Sequence, residues 1–256
     1  MDAIVLAGGI PLPEDPLYPY TQGHSKALVD IAGKPMVQWV LDALNDAIKV
    51  DHVVIVGLSP KTPIQSFKTT YILPSENHIL DNILAGVEKV IEINPQAEYV
   101  LLVSADIPGL TGEMVDWLVK QTEETTADLY YGVVPREVME KRYPDSRRTW
   151  THLKDMDVCG ADINVAHVSL ATERLDLWET LIGNRKSPFK QAAIIGYGAL
   201  FRLLFRQLTL EDALLHVCSR IGINGQAIVW PWAEAGMDVD QPHQLEIMRA
   251  DLAEKK

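Results

Sequence analysis

Cysteine is scarce: the 256-residue chain has two, Cys159 and Cys218, far apart in sequence. They give no support to a disulfide framework, and a reducing compartment fits. Positive charge is also scarce. Lys plus Arg is 23 against 35 for Asp plus Glu, a formal net charge of −12. That balance argues against sequence-independent binding to nucleic acid or anionic lipid, both of which need a surplus of Lys and Arg. It leaves room for a local basic pocket. Long apolar runs are missing. The longest nearly apolar stretch, Ala192 to Phe201, contains two glycines, and a bilayer span needs about 20 such residues. The segment Met1 to Gly9 lacks a basic leader region, and its apolar run is too short for a signal peptide. No Asn-x-Ser/Thr site occurs. The expectation is a soluble cytoplasmic protein.

What the chain does have is an ordinary globular composition, 47% apolar and 23% charged. That is enough to bury a core. Ala3–Leu6, Asp51–Gly57 and Glu98–Ser104 are short apolar runs bounded by polar residues, as in strands buried on both faces of a parallel sheet. Helical stripes lie between them. Pro35 suits a first helical position, followed by Met36, Val37, Val40, Leu41, Leu44 and Ile48 on one face. Leu80, Ile83, Leu84, Val87, Val90 and Ile91 form a second stripe. Thr111 is placed to cap a third helix, with Met114, Val115, Leu118 and Val119 facing inward. The alternation β, α, β, α, β, α predicts an open α/β sheet. After Leu129 the pattern changes. Strand-like runs at Leu129–Val134 and Asp162–Ser169 flank a polar stretch rich in Arg, Asp and Pro. Helical segments follow between Thr172 and Ser219. Gln226–Trp230 and Gly236–Val239 read as strands before a last helix marked by Leu245, Met248 and Leu252. Without a low-complexity linker, residues 1–256 read as one continuous α/β domain.

In such a sheet, ligands sit beyond the carboxyl ends of the strands. The loop after the first strand begins Leu6-Ala7-Gly8-Gly9 and reaches Lys26 through a Pro-rich segment. Two glycines let the backbone approach a ligand closely and present N–H groups to a base or phosphate. Lys26 supplies a cation for a phosphoryl group. A tight turn and a solvated lysine are the plainer reading. A P-loop is missing, and Gly196-x-Gly198 lacks the third glycine of a dinucleotide fingerprint. Carboxylates cluster at two further places. Asp106, in Val103-Ser104-Ala105-Asp106-Ile107-Pro108, ends an apolar strand, where it could hold a hydrated Mg²⁺ against phosphates or cap the next element. Asp238 and Asp240 lie two apart, so on a strand both share one face. Asp240 could instead cap the last helix ahead of Pro242. Asp155-Met156-Asp157 has the same form but lies in the polar stretch and reads as a surface turn.

Leu6-Ala7-Gly8-Gly9, then Lys26-Ala27-Leu28, then Gly33-Lys34-Pro35-Met36 resembles the opening of MobA-like NTP transferases. The resemblance implies a three-layer α/β/α, Rossmann-like GT-A nucleotidyltransferase fold with a mostly parallel central sheet. Residues 1–125 would form the nucleotide-binding half. Residues 126–256 would bind the acceptor and carry the second metal station. The implied activity is Mg²⁺-dependent transfer of NMP from an NTP to a phosphorylated acceptor with release of pyrophosphate. The implied metal ligands are Asp106 and Asp240 with Asp238 close by, and Lys26 and Asp106 would be catalytic. Leu6, Ala7, Gly8, Gly9, Lys26, Asp81, Asn82 and Asp106 would bind the nucleotide, with Asp81 and Asn82 reading the base. A helix cap is the alternative for that pair. Asn164 would face the acceptor, with a structural role as the alternative, and Lys186 in Arg185-Lys186-Ser187-Pro188 could meet its phosphate, with a solvated loop as the plainer reading. The chain departs from the family pattern in one place. Ile10 to Gly23 is longer than usual and has no Lys or Arg, where relatives carry an Arg for the triphosphate. A metal-dependent glycosyltransferase and a catalytically weakened nucleotide binder are the alternatives.

Overall fold

The structure, a computed structural model, describes residues 1–76, 78–173 and 202–254. In chain order its elements are β1 (Asp2–Leu6), α1 (Tyr18–Thr21), β2 (Asp30–Ile31), β3 (Lys34–Pro35), α2 (Met36–Asp46), β4 (His52–Val56), β5 (Thr69–Leu73), α3 (Ile79–Ile93), β6 (Tyr99–Ser104), α4 (Gly112–Thr122), β7 (Leu129–Pro135), α5 (Arg136–Arg142), β8 (Thr151–His152), β9 (Asp157–Gly160), β10 (Ile163–His167), α6 (Ser169–Glu173), α7 (Leu210–Ile221), β11 (Gly225–Val229) and α8 (Pro242–Ala253). Short 3₁₀ turns lie at Lys26–Leu28 and Ala233–Gly236.

The central sheet runs β5-β4-β1-β6-β10-β7-β9-β8, and β11 joins β7. From β5 to β6 every pairing is parallel. β10 then runs antiparallel to both β6 and β7. The parallel strands are apolar because both faces are covered. Along β1, Ala3 and Val5 enter one buried cluster with residues of α2, α4 and α8. Ile4 enters the opposite cluster with residues of α3 and α6. Alternate residues on a strand point to opposite faces, so this split makes three layers.

The helices follow from their stripes. Met36, Val37, Val40, Leu41 and Leu44 are buried on α2. Ile48 lies past the end of that helix and is 89% exposed, so the expected stripe stops one turn short. Pro35 precedes the first helical residue and pairs with Asp30 in the β2–β3 hairpin. Ala32 and Gly33 make that turn with φ of 51° and 82°, the positive values a two-residue hairpin needs. Thr111 accepts from Met114 N–H at 3.4 Å and caps α4, as the sequence predicts.

Two expectations are corrected. Gly236–Val239 is not a strand. A 3₁₀ turn ends at Gly236, and Val239 N–H then reaches Asp106 C=O at 2.9 Å. Asp157 begins β9 rather than a surface turn and meets His152, Arg136 and Arg206. Gly196, Gly198 and most of the expected helical stretch after Thr172 lie outside the described residues. Both cysteines are free and buried. Among the described residues no helix is long and apolar enough to cross a membrane.

Candidate active site

The carboxyl ends of β1 and β6 are neighbours, with Leu6 paired to Ser104. Everything that leaves those ends is therefore brought together. After β1, Ala7 N–H still reaches Val56 C=O at 2.8 Å, which prolongs the sheet by one bond. Gly8 then passes between two obstacles. A Cβ on Gly8 would lie 2.7 Å from Asn82 Nδ2 and 3.0 Å from Ser75 Oγ. Gly57, at the end of β4, has φ +111°, and a Cβ there would come within 2.2 Å of Gly8 N. Glycine is required at Gly57 by this approach to backbone, while at Gly8 a Cβ would have to displace side-chain ends. Gly9 has nothing near its Cβ position, so that side of the turn is open.

The excursion from Ile10 to His24 returns to the same edge. Ser25 Oγ donates to Ala7 C=O at 2.7 Å and accepts from Ala27 N–H at 3.2 Å. Lys26 N–H donates to Gly9 C=O at 2.8 Å. These bonds fix the root of the Lys26 side chain beside the glycine turn. Its ammonium donates to Asp106 Oδ2 and to Asp240 Oδ1, both at 2.5 Å. The Lys26 and Asp106 side chains are 18% and 13% exposed, while Asp240 is 58% exposed. Burial by itself would lower the Lys26 pKa. The charges of Asp106 and Asp240 outweigh it and hold the ammonium above its ordinary range.

Asp238 completes the acidic group. Ligand oxygens of Asp106, Asp238 and Asp240 all lie within 4.8 Å of one another. Asp238 is buried and faces Arg148, whose guanidinium Nη1 contacts its Oδ1. Asp240 is set by α8. Gln244 Oε1 accepts from Asp240 N–H at 2.9 Å and from Gln241 N–H at 2.8 Å. The Gln244 Nε2 end donates to Ser146 C=O at 3.4 Å. One buried amide thus ties the Asp240 backbone to the loop that carries Arg148.

The other expected residues fall as follows. Asp81 and Asn82 lie in the first turns of α3. Asn82 is buried, and its Oδ1 accepts from Glu76 N–H at 2.7 Å. Only its Nδ2 end is left toward Gly8. Asn164 is placed on β10, where it bonds to neighbouring backbone. Its Oδ1 accepts from Gly132 N–H at 2.9 Å and its Nδ2 donates to Ala161 C=O at 3.3 Å, so both ends are spent on backbone around β7 and β10. Lys186 lies outside the described residues.

Sequence reasoning did not single out Gly57, Ser75, Arg148, Asp162 and Gln244. Asp162 sits where β10 begins, bonded through its backbone to Ser104 N–H and Ala235 C=O. Burial, then the charges of Asp106 and Asp240, outweigh the cations Arg148 and Lys26 and push its pKa up to about 7. Gly57 had a signal, since it ends an apolar strand. Arg148 had none, because it is one arginine in a polar loop.

The fold is that of solved nucleotidyltransferases. It is similar to CMP:2-keto-3-deoxy-manno-octonic acid synthetase complexed with CTP, at 18% identity and TM-score 0.64 over 100% of this chain and 98% of that one. It is also similar to 4-diphosphocytidyl-2C-methyl-D-erythritol synthase, at 17% identity and TM-score 0.58 over 98% and 97%.

Within that class, the chain belongs to the MobA-like NTP transferase domain family, which matches residues 3–195. A hypothetical transferase from Thermus thermophilus is 32% identical with a TM-score of 0.83, over 95% of this chain and 98% of that one. Molybdenum cofactor guanylyltransferase of Shewanella sediminis (strain HAW-EB3) is 27% identical over 129 residues, 50% of this chain. That match spans 60% of the relative's own length.

Proposed function

We infer that the protein transfers NMP from an NTP to a phosphorylated small-molecule acceptor and releases pyrophosphate, with Mg²⁺ or another divalent cation. The observation that carries this reading is the convergence of Lys26, Asp106 and Asp240 beside the Gly8-Gly9 turn. The residues fit a dication. All three candidate ligands are hard carboxylate oxygens close to one another, and Asp106 Oδ1 is buried with no hydrogen-bond partner. Asp106 and Asp240 would hold the ion, with Asp238 beside them. When bound, it would neutralise charge on the phosphate oxygens.

The chain's own groups have separate tasks in this reading. Leu6, Ala7, Gly8 and Gly9 form a floor on which a nucleotide can lie against backbone. Asn82 can donate to a carbonyl of the base through Nδ2, because its oxygen is already committed to Glu76. Asp81 stands one residue away. Lys26, once drawn off the two carboxylates by a triphosphate, offsets charge that develops on the transferring phosphoryl group. Asn164 braces the acceptor wall through β7 and β10.

The test is pyrophosphate release with a panel of NTPs and phosphorylated sugars, polyols and related acceptors, with and without chelator. Activity that requires Mg²⁺ and is lost in Asp106→Ala is the expected result. Turnover that survives both chelation and that substitution overturns the reading.

A further inference from the structure

Four carboxylates meet at this edge of the sheet, Asp106, Asp162, Asp238 and Asp240. Among the described residues two cations, Lys26 and Arg148, face them. Lys26 belongs to the glycine side through its root at Gly9. Arg148 comes from the opposite side. Its guanidinium contacts Asp238 and also acts on Asp162 and on the Cys159 thiol. Those last two residues lie at the end of β9 and the start of β10. In the sheet β10 is the neighbour of β6 away from β1. Arg148 therefore stands across Asp106 from the glycine turn.

We propose that Arg148 binds the phosphate of the acceptor, and that Asp238 holds its guanidinium in place until that phosphate arrives. This rests on the nucleotidyltransferase reading above. Three observations support it. The Arg148 side chain is 14% exposed, and its Nε–H is buried without a hydrogen-bond partner. A guanidinium has five N–H donors in a planar fork, and phosphate takes two of them side by side. Asp238 engages Nη1 and leaves donor capacity unspent.

The loop is also built to aim this residue. Arg147 has φ +51°, a left-handed value unusual for a side chain of that size. Ser146 is buried, and its C=O accepts from His243 Nε2 at 3.1 Å and from Gln244 Nε2 at 3.4 Å. The arm is thus pinned to the helix that also sets Asp240. Finally, the charges favour an incoming anion only on this side once a dication is present. Four carboxylates, with the pKa of Asp162 pushed up to about 7, against two cations leave the group net negative. A dication at Asp106 and Asp240 would offset that charge, so a phosphate can compete with Asp238 for Arg148.

The test uses the full chain and two probes that need no knowledge of base or acceptor. Tripolyphosphate with Mg²⁺ stands in for the triphosphate, measured by calorimetry. Methyl phosphate stands in for the acceptor, measured by phosphorus NMR with and without saturating Mg²⁺-tripolyphosphate. In Arg148→Gln, methyl phosphate affinity is expected to fall about 10- to 100-fold, the size of a lost charge-assisted pair. Tripolyphosphate affinity should stay within about twofold, because no contact to it is lost. Arg148→Lys keeps the charge but not the fork, so an intermediate loss is expected, and it serves if the Gln variant fails to fold. An equal loss for tripolyphosphate would assign Arg148 to the nucleotide and overturn the proposal. So would unchanged methyl phosphate binding in either folded variant, or no binding by the wild type. Tripolyphosphate binding indifferent to Mg²⁺ would instead count against the nucleotidyltransferase reading, while a methyl phosphate titration with Mg²⁺ alone still judges Arg148.

Discussion

On the glycine side of the site, Gly8, Gly57, Asn82 and Ser25 are held by backbone hydrogen bonds and close contacts across β1, β4 and α3. On the far side, Arg148, Asp162 and Asp238 are held by charge, with Asp162 Oδ2 and Arg148 Nε buried and unpartnered. Apart from the Nδ2 end of Asn82, the bonds named on the first side are made before any ligand arrives. The second has buried polar capacity unspent, which costs stability unless something completes it. A rigid floor and an unfinished wall suit the two-substrate reaction proposed above. One substrate would lie on backbone of fixed shape, and the other would be recognised by charge.

The largest effects should come where the two sides meet. Asp106→Ala is expected to lower kcat/KM for pyrophosphate release by about 10³-fold, comparable to losing a main electrostatic contact. Asp240→Ala should cost less, because its side chain is 58% exposed against 13% for Asp106. Equal losses would show that burial does not rank the two carboxylates. Lys26→Met is expected to cost about 2–4 kcal/mol in the same assay, or about 30- to 1000-fold. It carries an opposite prediction for metal alone. The ammonium now holds the oxygens a dication would use, so Mn²⁺ without nucleotide should bind the Met variant more tightly than the wild type. A paramagnetic resonance titration reads this directly. Weaker Mn²⁺ binding in the variant would mean the ammonium does not compete for those oxygens.

The same division explains what could be read from sequence. Gly8, Gly9 and Lys26 lie close in the chain and follow a strand, so local pattern was enough to single them out. The parallel half was legible because strands buried on both faces are continuous apolar runs. β5 was not, since its residues are exposed or half-buried, and neither were the two-residue strands. Gly236–Val239 misled because its alternation is satisfied by one hydrogen bond to Asp106 C=O rather than by a ladder. Arg148 was invisible for a different reason. Its role depends on Asp238, ninety residues later in the chain, and on a loop pinned by Gln244. No local spacing encodes that arrangement. The polyanion argument from net charge also narrows, because four of the carboxylates stand at one site with two cations among them.

The rigid side can be tested through its glycines. Gly57→Ala must tolerate φ +111° and a Cβ 2.2 Å from Gly8 N. Backbone strain and overpacking together should destabilise the fold by about 3 kcal/mol. Gly8→Ala meets the end of the Asn82 side chain at 2.7 Å, which can shift, so about 1–2 kcal/mol is expected. Urea unfolding measures both. If Gly8→Ala proved the costlier of the two, the floor would depend on Asn82 more than on the β1–β4 backbone contact.

The smallest expected effect bears on the link between the sides. Gln244 is 3% exposed, accepts from two N–H groups at the start of α8 and donates to Ser146 C=O. Gln244→Leu removes the capping acceptor, worth about 1 kcal/mol in urea unfolding. Gln244→Glu keeps the acceptor but sets an oxygen against the Ser146 carbonyl, so the cap survives while the Arg148 loop is released. The two variants should therefore separate in kinetics. The Glu variant should raise KM for the acceptor by a few-fold, about 1 kcal/mol at most, and leave KM for the NTP unchanged. The Leu variant should disturb Asp240 as well and lower kcat. Identical kinetic profiles for the two would show that the Gln244–Ser146 bond positions nothing, and that Asp238 and the His243–Ser146 bond suffice to place Arg148.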